Sequence, residues 1–287
     1  MLERIRKQLH EHLQVEGASA PLAGLGTFHC RHDQIFREVP IIHPCVVLVV
    51  EGTKRLSRQK TKYQFRKGEL LILPGDTTVT LDNIPDETTR EYIALTLSFS
   101  PEEIQLFRQM HSNVVFQSAV NDRWYGPISK QVQTAIAQLL EWLTIGKNVP
   151  LRAIHRRLEI LWLLAQDFGI ASMFLNREPS CRQRVAEVIA TDITRSWLAR
   201  EVASKLAMGE STLRNRLQQE ESSFRLILED TRLSVGFGLL QETNWTVAMV
   251  ASSVGYESQS RFGERFKKRY GMTPLALRRT RQHVMRS

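Results

Sequence analysis

Apolar positions in the first third of the chain cluster in short runs or alternate with polar ones, as β-strands require. The run Cys45–Val50 is compact and rich in β-branched residues, and Glu69–Leu73 ends at the turn signal Pro74-Gly75. From Tyr92 to Phe99, apolar residues return at every second position. Several short strands with closely spaced turns predict a small β-barrel or sandwich, which we place at about residues 20–100.

The period becomes helical in the middle of the chain. Pro127–Leu143 and Leu151–Ala165 each carry an apolar residue every three or four positions, and Gly146 and Pro150 separate them. The pattern predicts an antiparallel helical pair at about residues 126–166 with one wide apolar stripe. The stripe could pack on the β-domain or form part of a dimer interface, and the sequence leaves both alternatives open.

The last third predicts only helices, and one pattern occurs in it twice. Residues 197–220 and 246–271 each contain a short apolar-periodic helix, a break, and a second helix of polar and basic residues. This is the plan of a helix-turn-helix unit. Between them, Phe224–Gln241 predicts a connecting helix about 27 Å long at 1.5 Å per residue. Such a rod would hold the two second helices roughly one DNA turn, about 34 Å, apart.

A polar segment, Asn176–Gln183, contains Pro179 and predicts the boundary between two domains. We expect an N-terminal domain over residues 1–178 and a C-terminal domain over residues 183–284, in an α+β protein. A length of 287 residues suits this division, since domains commonly have about 100–200 residues.

Charge distinguishes the two parts of the chain. Residues 180–287 carry 18 Lys and Arg against 11 Asp and Glu, a net charge of +7, whereas residues 1–179 carry only +2. Basic clustering favours phosphate contacts, so the C-terminal part is the candidate for binding nucleic acid. The longest apolar runs have six residues, and the N-terminus is charged throughout. These features predict a cytoplasmic protein without a membrane span or signal peptide.

The segment from Trp197 to Arg279 resembles the DNA-binding domain of the AraC/XylS family of bacterial transcription regulators. The match is closest in VGYESQSRFGERFKKRYGMTP, residues Val254–Pro274. The N-terminal part is more loosely similar to the cupin-like sensing domains of that family, through Pro44–Leu56 and Lys67–Pro74. The resemblance implies a cupin-like β-barrel with a helical pair, followed by an all-α domain in which a long helix joins two helix-turn-helix units.

The same resemblance implies a sequence-specific transcription regulator, expected to be an activator, with an N-terminal domain for effector binding, dimerisation or both. Double-stranded DNA and RNA polymerase are the expected partners, and a homodimer is the expected state. A small-molecule effector is a candidate ligand. We expect the protein in the bacterial cytoplasm, at the nucleoid when bound to DNA, with no cofactor, no metal and no catalytic residue.

Residue roles follow from the helical pattern and from that match. Leu213 and Leu217 predict the inward face of the first recognition helix, and Phe262 and Phe266 predict that of the second. Arg214 suits a guanine and Asn215 an adenine. The expected base-contacting residues are Ser211, Arg214, Asn215, Gln218, Gln259, Ser260, Arg261, Gly263 and Glu264. The expected phosphate-contacting residues are Arg216, Arg265, Lys267, Lys268 and Arg269.

The chain departs from the family pattern mainly in its first helix-turn-helix unit. Gly209 stands where Ser usually caps the recognition helix, Ala207 stands at the turn position that Gly255 occupies in the second unit, and Glu221 stands where a helix-ending Gly is usual. Two glycines, Gly236 and Gly238, lie inside the connecting helix. We expect the second unit to supply the more uniform affinity and the first to adapt on a softened connecting helix.

Three features of the N-terminal part suggest other chemistry. Zinc could bind at FHCRH, which contains His29, Cys30 and His32, although the spacing suits neither one helical face nor the HxH of metal-binding cupins. Cys45 follows Pro44, as does the acceptor cysteine of DNA-repair methyltransferases, but Val46 and Val47 replace the expected His and Arg. The third feature is a cationic set that suits either an anionic effector or a solvated face: Lys54, Arg55, Arg58, Lys60, Lys62, Arg66 and Lys67.

Two functional alternatives accompany the regulator hypothesis. One is a cupin-type enzyme with a helical nucleic-acid-binding appendage, which would require a metal-ligand set or an acid–base pair. The other is a regulator that responds to a protein partner or to its own concentration, and it would lack a closed apolar cavity in the barrel.

Overall fold

The structure, a computed structural model, describes residues 1–14, 24–58, 61–111, 124–145, 150–168, 170 and 178–281. The strands in these ranges are β1 Leu25–Cys30, β2 Gln34–Ile41, β3 Cys45–Glu51, β4 Thr53–Arg58, β5 Thr61–Arg66, β6 Glu69–Leu73, β7 Thr77–Ile84, β8 Tyr92–Ser98 and β9 Tyr125–Pro127. The helices are α1 Leu2–Gln14, α2 Pro101–Met110, α3 Lys130–Ile145, α4 Pro150–Asp167, α5 Cys181–Ala190, α6 Ala199–Lys205, α7 Glu210–Gln219, α8 Phe224–Glu242, α9 Val247–Ser253, α10 Gln259–Tyr270 and α11 Pro274–Arg279.

The strands form two antiparallel sheets that pack face to face. One sheet has the order β1-β8-β3-β6-β9, and the other has the order β2-β7-β4-β5. Strand β3 lies between β6 and β8, and all its residues are buried, which explains its unbroken apolar run. Side chains of both sheets, among them Val47, Leu56 and Phe65, fill the space between them. The predicted α+β class is confirmed, but the β-domain consists of two open sheets and not of one closed barrel.

The helical pair covers the outer face of the first sheet. Ile136 of α3 and Leu161 of α4 belong to the same buried cluster as Val46 and Leu48 of β3. Helix α1, which the sequence analysis did not identify, lies on α3 and contributes Ile5 to this cluster. The apolar stripe of the pair is therefore used inside the chain, against the sheet and α1.

The predicted boundary segment 176–183 ends inside a helix. Residues 176 and 177 lie outside the described part of the chain, whereas Ser180 is the N-cap of α5. The Ser180 hydroxyl accepts a hydrogen bond from the Gln183 amide, and the Gln183 side chain accepts one from the Ser180 amide, both at 3.0 Å. This capping box begins the helix earlier than the polar composition predicted, because Ser, Cys and Gln are all compatible with a first helical turn.

The C-terminal helices pack directly on the β-sheets. Phe237 of α8 contacts Phe28 and Phe36, with ring centroids 5.7 and 5.0 Å apart. The Thr27 amide of β1 donates to Glu242 Oε1 at 3.1 Å. The Thr280 carbonyl, directly after α11, accepts from the Arg31 amide at 2.7 Å. The end of α8 and the end of α11 are thus both fastened to the region around β1.

Candidate DNA-binding surface

The first helix-turn-helix unit consists of α6 and α7. Val202 and Ala203 of α6 are buried against Leu213 and Leu217 of α7 in one apolar cluster. The small side chain of Ala203 lets the two helices approach where they meet. The opposite face of α7 is consequently turned to solvent.

The second unit, α9 and α10, repeats this arrangement with aromatic anchors. Ala251 of α9 is buried with Phe262 and Phe266 of α10. The Ser258 hydroxyl caps α10 by accepting a hydrogen bond from the Arg261 amide at 3.2 Å. In the first unit, the N-cap of α7 is Gly209, which has no side chain to offer. The recognition helix of the second unit is therefore better capped than that of the first.

The backbone confirms that the two units are equivalent at their turns. Ala207 has φ +53° where Gly255 has φ +78°, and Glu221 has φ +51° after α7 where Gly271 has φ +80° after α10. An L-residue in this left-handed region costs about 1–2 kcal/mol, whereas glycine adopts it freely. The first unit therefore has the same left-handed backbone at Ala207 and Glu221 as the second unit, but without the glycines that adopt this conformation easily.

The residues expected to contact bases lie on the exposed faces of α7 and α10. In the first unit the exposed ones are Ser211, Arg214, Asn215 and Gln218. In the second unit the exposed ones are Gln259, Ser260, Arg261 and Glu264, with Gly263 half-buried among them. Short-range ion pairs to Glu210 at 3.4 Å and to Glu257 at 3.9 Å hold Arg214 and Arg261 on the surface. Each recognition helix thus presents hydrogen-bonding side chains to solvent while its apolar side is buried.

The five residues expected to contact phosphates divide into two groups. Arg216, Lys267 and Lys268 are exposed. Arg265 lies 3.8 Å from Glu229 of α8, and Arg269 donates to the buried Asp230 of α8 at 2.9 Å. The guanidinium of Arg269 is therefore held inside the domain.

Two charged residues of α8 position the recognition helices, and the sequence analysis did not identify them. Asp230 accepts from Arg269 of α10 and lies 3.5 Å from Arg182 of α5. Burial raises the pKa of its carboxyl, and the two guanidiniums oppose that rise. Arg232 donates to the carbonyls of Gly255 at 3.1 Å and Arg195 at 2.8 Å. Charged positions in the middle of an otherwise apolar helix were the signal that could have revealed both.

The connecting helix runs without a break from Phe224 to Glu242, close to its predicted bounds. Packing explains the glycine at position 236, because a Cβ on Gly236 would lie 2.9 Å from Phe262 Cε2. At Gly238, an added Cβ would meet nothing within 4 Å. The two glycines therefore differ: the first allows α10 to approach α8, and the second does not serve packing.

The zinc site and the reactive cysteine that the sequence suggested in the N-terminal part do not form in the structure. In FHCRH, Cys30 is fully buried and His32 is exposed, so these two side chains do not converge with His29. Burial raises the pKa of the Cys30 thiol and of the Cys45 thiol to about 12. Both thiols stay protonated at neutral pH, and a protonated thiol is a poor nucleophile.

The cationic set does not form one face. Arg55, Lys62 and Arg66 are exposed, whereas Lys54 is buried between the sheets. Lys67 pairs with acidic residues, and Lys60 and the side chain of Arg58 lie outside the described residues. Burial lowers the pKa of the Lys54 ammonium to about 8.

Lys54 is the first member of a buried polar chain that crosses from the β-domain to the C-terminal helices. Its Nζ donates to Asn83 Oδ1 at 2.7 Å, and Asn83 Nδ2 donates to Gln34 Oε1 at 2.9 Å. Gln34 Nε2 donates in turn to Thr280 Oγ1 at 2.7 Å. The interior of the β-domain is thereby connected to the segment that follows α11.

Between the domains there is also a cleft of about 290 Å³. It is lined by the β-domain at Pro44 and Gly75, by Ile104 of α2, and by Ser180 and Gln183 at the start of α5.

Within the described residues, no helix combines the length and the apolar character that a bilayer crossing requires.

Comparison with known proteins agrees with both halves of this architecture. A family model described as the AraC-type transcriptional regulator N-terminus matches residues 21–169, and a helix-turn-helix domain model matches residues 202–280. HTH-type transcriptional regulator GadX of Escherichia coli K12 is 34% identical over 244 residues, which cover 80% of this chain and 84% of the relative. Transcriptional regulator SirC of Salmonella typhimurium is 37% identical over 102 residues, and that alignment spans only 35% of its length.

Among solved structures, apo ToxT from Vibrio cholerae has the same fold, with a TM-score of 0.64 over 93% of this chain and 100% of that chain at 12% identity. ToxT has also been solved with an unsaturated fatty acid bound, and that structure has a TM-score of 0.60 at 14% identity, covering 88% of this chain and 94% of that chain.

Proposed function

Since this chain belongs to the AraC/XylS family of transcription regulators, we propose that its two recognition helices, α7 and α10, read successive major grooves of one DNA duplex. Each groove is about 12 Å wide and accepts one α-helix. One polypeptide then binds two adjacent grooves, and sequence specificity arises from the exposed faces of both helices.

The observation that carries this proposal is the pair of equivalent units on one straight connector. Helix α8 has 19 residues, so at 1.5 Å per residue it is about 28 Å long. Successive major grooves on one face of a duplex lie about 34 Å apart. The length of the connector is of the same order as that repeat, which supports the proposal.

We assign base contacts to the exposed side chains of α7 and α10. Arg214 contacts a guanine, and Gln259 contacts a base from the start of α10, the second recognition helix. Phosphate contacts fall to Arg216, Lys267 and Lys268, which are exposed. Arg265 and Arg269, the other two residues expected at phosphates, are engaged by α8. We propose that Arg269 orients α10 through Asp230.

The N-terminal domain is proposed to regulate DNA binding through its contacts with α8 and α11. A shift of β1 moves Thr27 and Arg31, which are hydrogen-bonded to Glu242 and to the Thr280 carbonyl. If these contacts switch between two arrangements, the position of α8 changes, and the positions of both recognition helices change with it. The related ToxT is known with a fatty acid bound, and we propose that this chain also responds to an effector.

The acting unit is proposed to be a cytoplasmic homodimer that binds by recognition, without catalysis, and activates transcription through RNA polymerase. A dimer doubles the number of half-sites and so raises affinity for a repeated operator. Relatives named as transcription regulators support this role.

Binding of the purified full chain to genomic DNA fragments, followed by footprinting of the selected sites, tests the proposal. The selected sites should share a sequence motif, and affinity should fall with salt with a slope of about −0.9 per phosphate neutralised. Sites without a common motif, or an affinity that does not respond to salt, would contradict it.

A further inference from the structure

Away from the DNA-binding surface, three metal-ligating side chains converge where α1 meets the edge of the first sheet. His10 comes from α1, His29 from β1, and Glu91 from the residue before β8. The Nε2 atoms of His10 and His29 each lie 3.4 Å from a different oxygen of Glu91. The three candidate ligand atoms all lie within 4.8 Å of one another.

These atoms are close enough to converge on one ion, because each imidazole lies 3.4 Å from Glu91 and all three groups lie within 4.8 Å of one another. Ligand atoms at about 2.0–2.1 Å from a tetrahedral zinc ion are separated from each other by roughly 3.3 Å. The two His–Glu separations are close to this value, and the two imidazole rings meet at 62° with centroids 5.6 Å apart. The rings are thus steeply inclined to each other and do not stack.

The hydrogen bonding of His10 directs a lone pair toward the same point. Its Nδ1 lies 3.1 Å from the Arg6 carbonyl oxygen, and a carbonyl can only accept, so Nδ1 carries the hydrogen. In a neutral ring Nε2 then holds the lone pair, and it faces a carboxylate oxygen that is also an acceptor. This contact is satisfied either by a second ring proton, which makes His10 an imidazolium paired with Glu91, or by a metal ion bound to both groups. Histidine ligands to metals commonly donate a hydrogen bond from their other ring nitrogen to a backbone carbonyl.

We propose that His10, His29 and Glu91 bind one divalent transition-metal ion of the zinc class, with water in a fourth position. Two imidazoles and one carboxylate suit zinc better than magnesium or calcium, which take mainly oxygen ligands. The proposal adds a ligand to the regulator proposed above, and the site itself depends only on the geometry of the N-terminal domain.

Two guanidiniums now neutralise Glu91, and the ion has to replace them. Arg31 donates to Glu91 Oε1 at 2.8 Å, and Arg6 donates to Oε2 at 3.2 Å. Arg6 also pairs with Glu51 at 3.2 Å, so it keeps a counter-charge when it leaves Glu91. The Arg31 side chain is 23% exposed, so part of it already faces solvent. This competition limits the affinity of the site for the ion.

Metal binding would act on the contacts that lead to the DNA-binding helices. His29 follows Thr27 by two residues on β1, and Thr27 donates to Glu242 of α8. The amides of Arg31 and His32 donate to the Thr280 carbonyl at 2.7 and 3.3 Å. An ion that ties β1 to α1 and displaces the Arg31 side chain therefore changes the segment that joins the domains. If the regulator hypothesis holds, zinc changes the affinity for DNA.

Titration of the untagged full chain with Co²⁺ and Zn²⁺ tests the site without DNA. One Co²⁺ per chain should bind, give visible absorption bands of a tetrahedral ion, and be displaced by Zn²⁺. His10→Ala and His29→Ala should each weaken binding by at least about 10–100-fold, because losing a ligand costs no less than losing a group that hydrogen-bonds to a ligand. His32→Ala, which removes an exposed histidine nearby, is the matched control and should bind as the unaltered chain does.

Thermal unfolding shows whether the variants are folded. At about 100 times the Kd, Zn²⁺ should raise the Tm of the unaltered chain and of His32→Ala by roughly 5 °C. It should leave the Tm of His10→Ala and His29→Ala unchanged while these proteins still melt cooperatively. Absence of binding to the unaltered chain, equal binding by all variants, or loss of binding in His32→Ala would overturn the site.

The regulatory step is tested separately by DNA affinity with zinc and with chelator. A change of threefold or more that disappears in His29→Ala is expected, and unchanged affinity would overturn the regulatory step. If metal binds but neither form of the protein binds DNA, the proposed function fails and the metal site stands.

Discussion

At the residue scale, helical periodicity was sufficient to separate the exposed side of each recognition helix from its buried side. The expected anchors Leu213, Leu217, Phe262 and Phe266 are all buried. Periodicity could not show that Arg269 is engaged by α8, because this depends on Asp230, 39 residues earlier in the chain. A basic residue on a recognition helix looks the same in sequence whether it meets a phosphate or a carboxylate of its own domain.

The exposed positions predict different effects for the two kinds of contact. Arg214→Ala should lose about 1–3 kcal/mol of discrimination at one base pair, because it removes a bidentate base contact. Lys268→Ala should weaken binding to all sequences alike and reduce the salt slope by about one. Binding of both variants to an operator and to its single-base variants measures this, and identical profiles for the two would contradict the assignments.

The left-handed turn of the first unit gives a stability prediction. Ala207→Gly should raise the free energy of unfolding by about 0.5–1 kcal/mol, because relief of the strain exceeds the added entropy of glycine in the unfolded chain. Gly255→Ala is the matched change in the second unit and should cost about 2 kcal/mol or more. There an added Cβ would lie 2.8 Å from Arg232 Nη2 at φ +78°. Urea unfolding of both variants measures the difference, and equal effects would show that the turns are not equivalent.

At the scale of elements, the helical pair, the connecting helix and the helices of both helix-turn-helix units were predicted, whereas α1 and α2 were not. The connecting helix was expected over Phe224–Gln241 and extends over Phe224–Glu242. Helices α1 and α2 lie beside the predicted pair and sheets, and nothing in their local pattern shows which surface they cover. The sequence left a barrel and a sandwich as alternatives, because two packed sheets and a closed barrel have the same alternation along each strand.

The two glycines of α8 make a matched test of the connector. Gly238→Ala should stabilise the protein by about 0.5–1 kcal/mol, since it improves helix propensity at a position with free space. Gly236→Ala should destabilise it by about 1–3 kcal/mol, because the Phe262 ring must move away. It should also weaken DNA binding by displacing α10. Chemical denaturation and binding to a fixed operator measure both effects, and a stabilised Gly236→Ala protein would contradict the packing described here.

At the scale of the whole molecule, the sequence predicted two domains but not their close contact. The expected linker marked only a domain boundary, whereas the structure packs Phe237 against Phe28 and Phe36 of the β-domain. The contact includes a buried carboxyl, Glu242, whose pKa is raised by burial to about 7. A carboxylate there is costly because low-polarity surroundings disfavour the charged form.

This contact predicts a pH dependence with a definite sign. The pKa of Glu242 is higher in the folded chain than the usual value of about 4.3 in an unfolded chain, so folding favours the protonated form. The contribution of Glu242 to stability is full below about pH 4 and is lost as pH rises toward and through 7, by roughly 3–4 kcal/mol. Glu242→Gln stays neutral, so it should equal the unaltered chain near pH 4.5 and exceed it in stability at pH 8. Urea unfolding at both pH values measures this, and a constant difference would contradict it.

The central claim is that one chain inserts α7 and α10 into two successive major grooves. Protection of guanine N7 from methylation in the bound operator tests it most directly, with the full chain compared with Arg214→Ala and Gln259→Ala. The account predicts protected positions in two major grooves about 10 base pairs apart, with the first variant losing protection in one groove and the second variant in the other. Loss of protection in the same groove for both variants, or protection of a single groove by the unaltered chain, would contradict it.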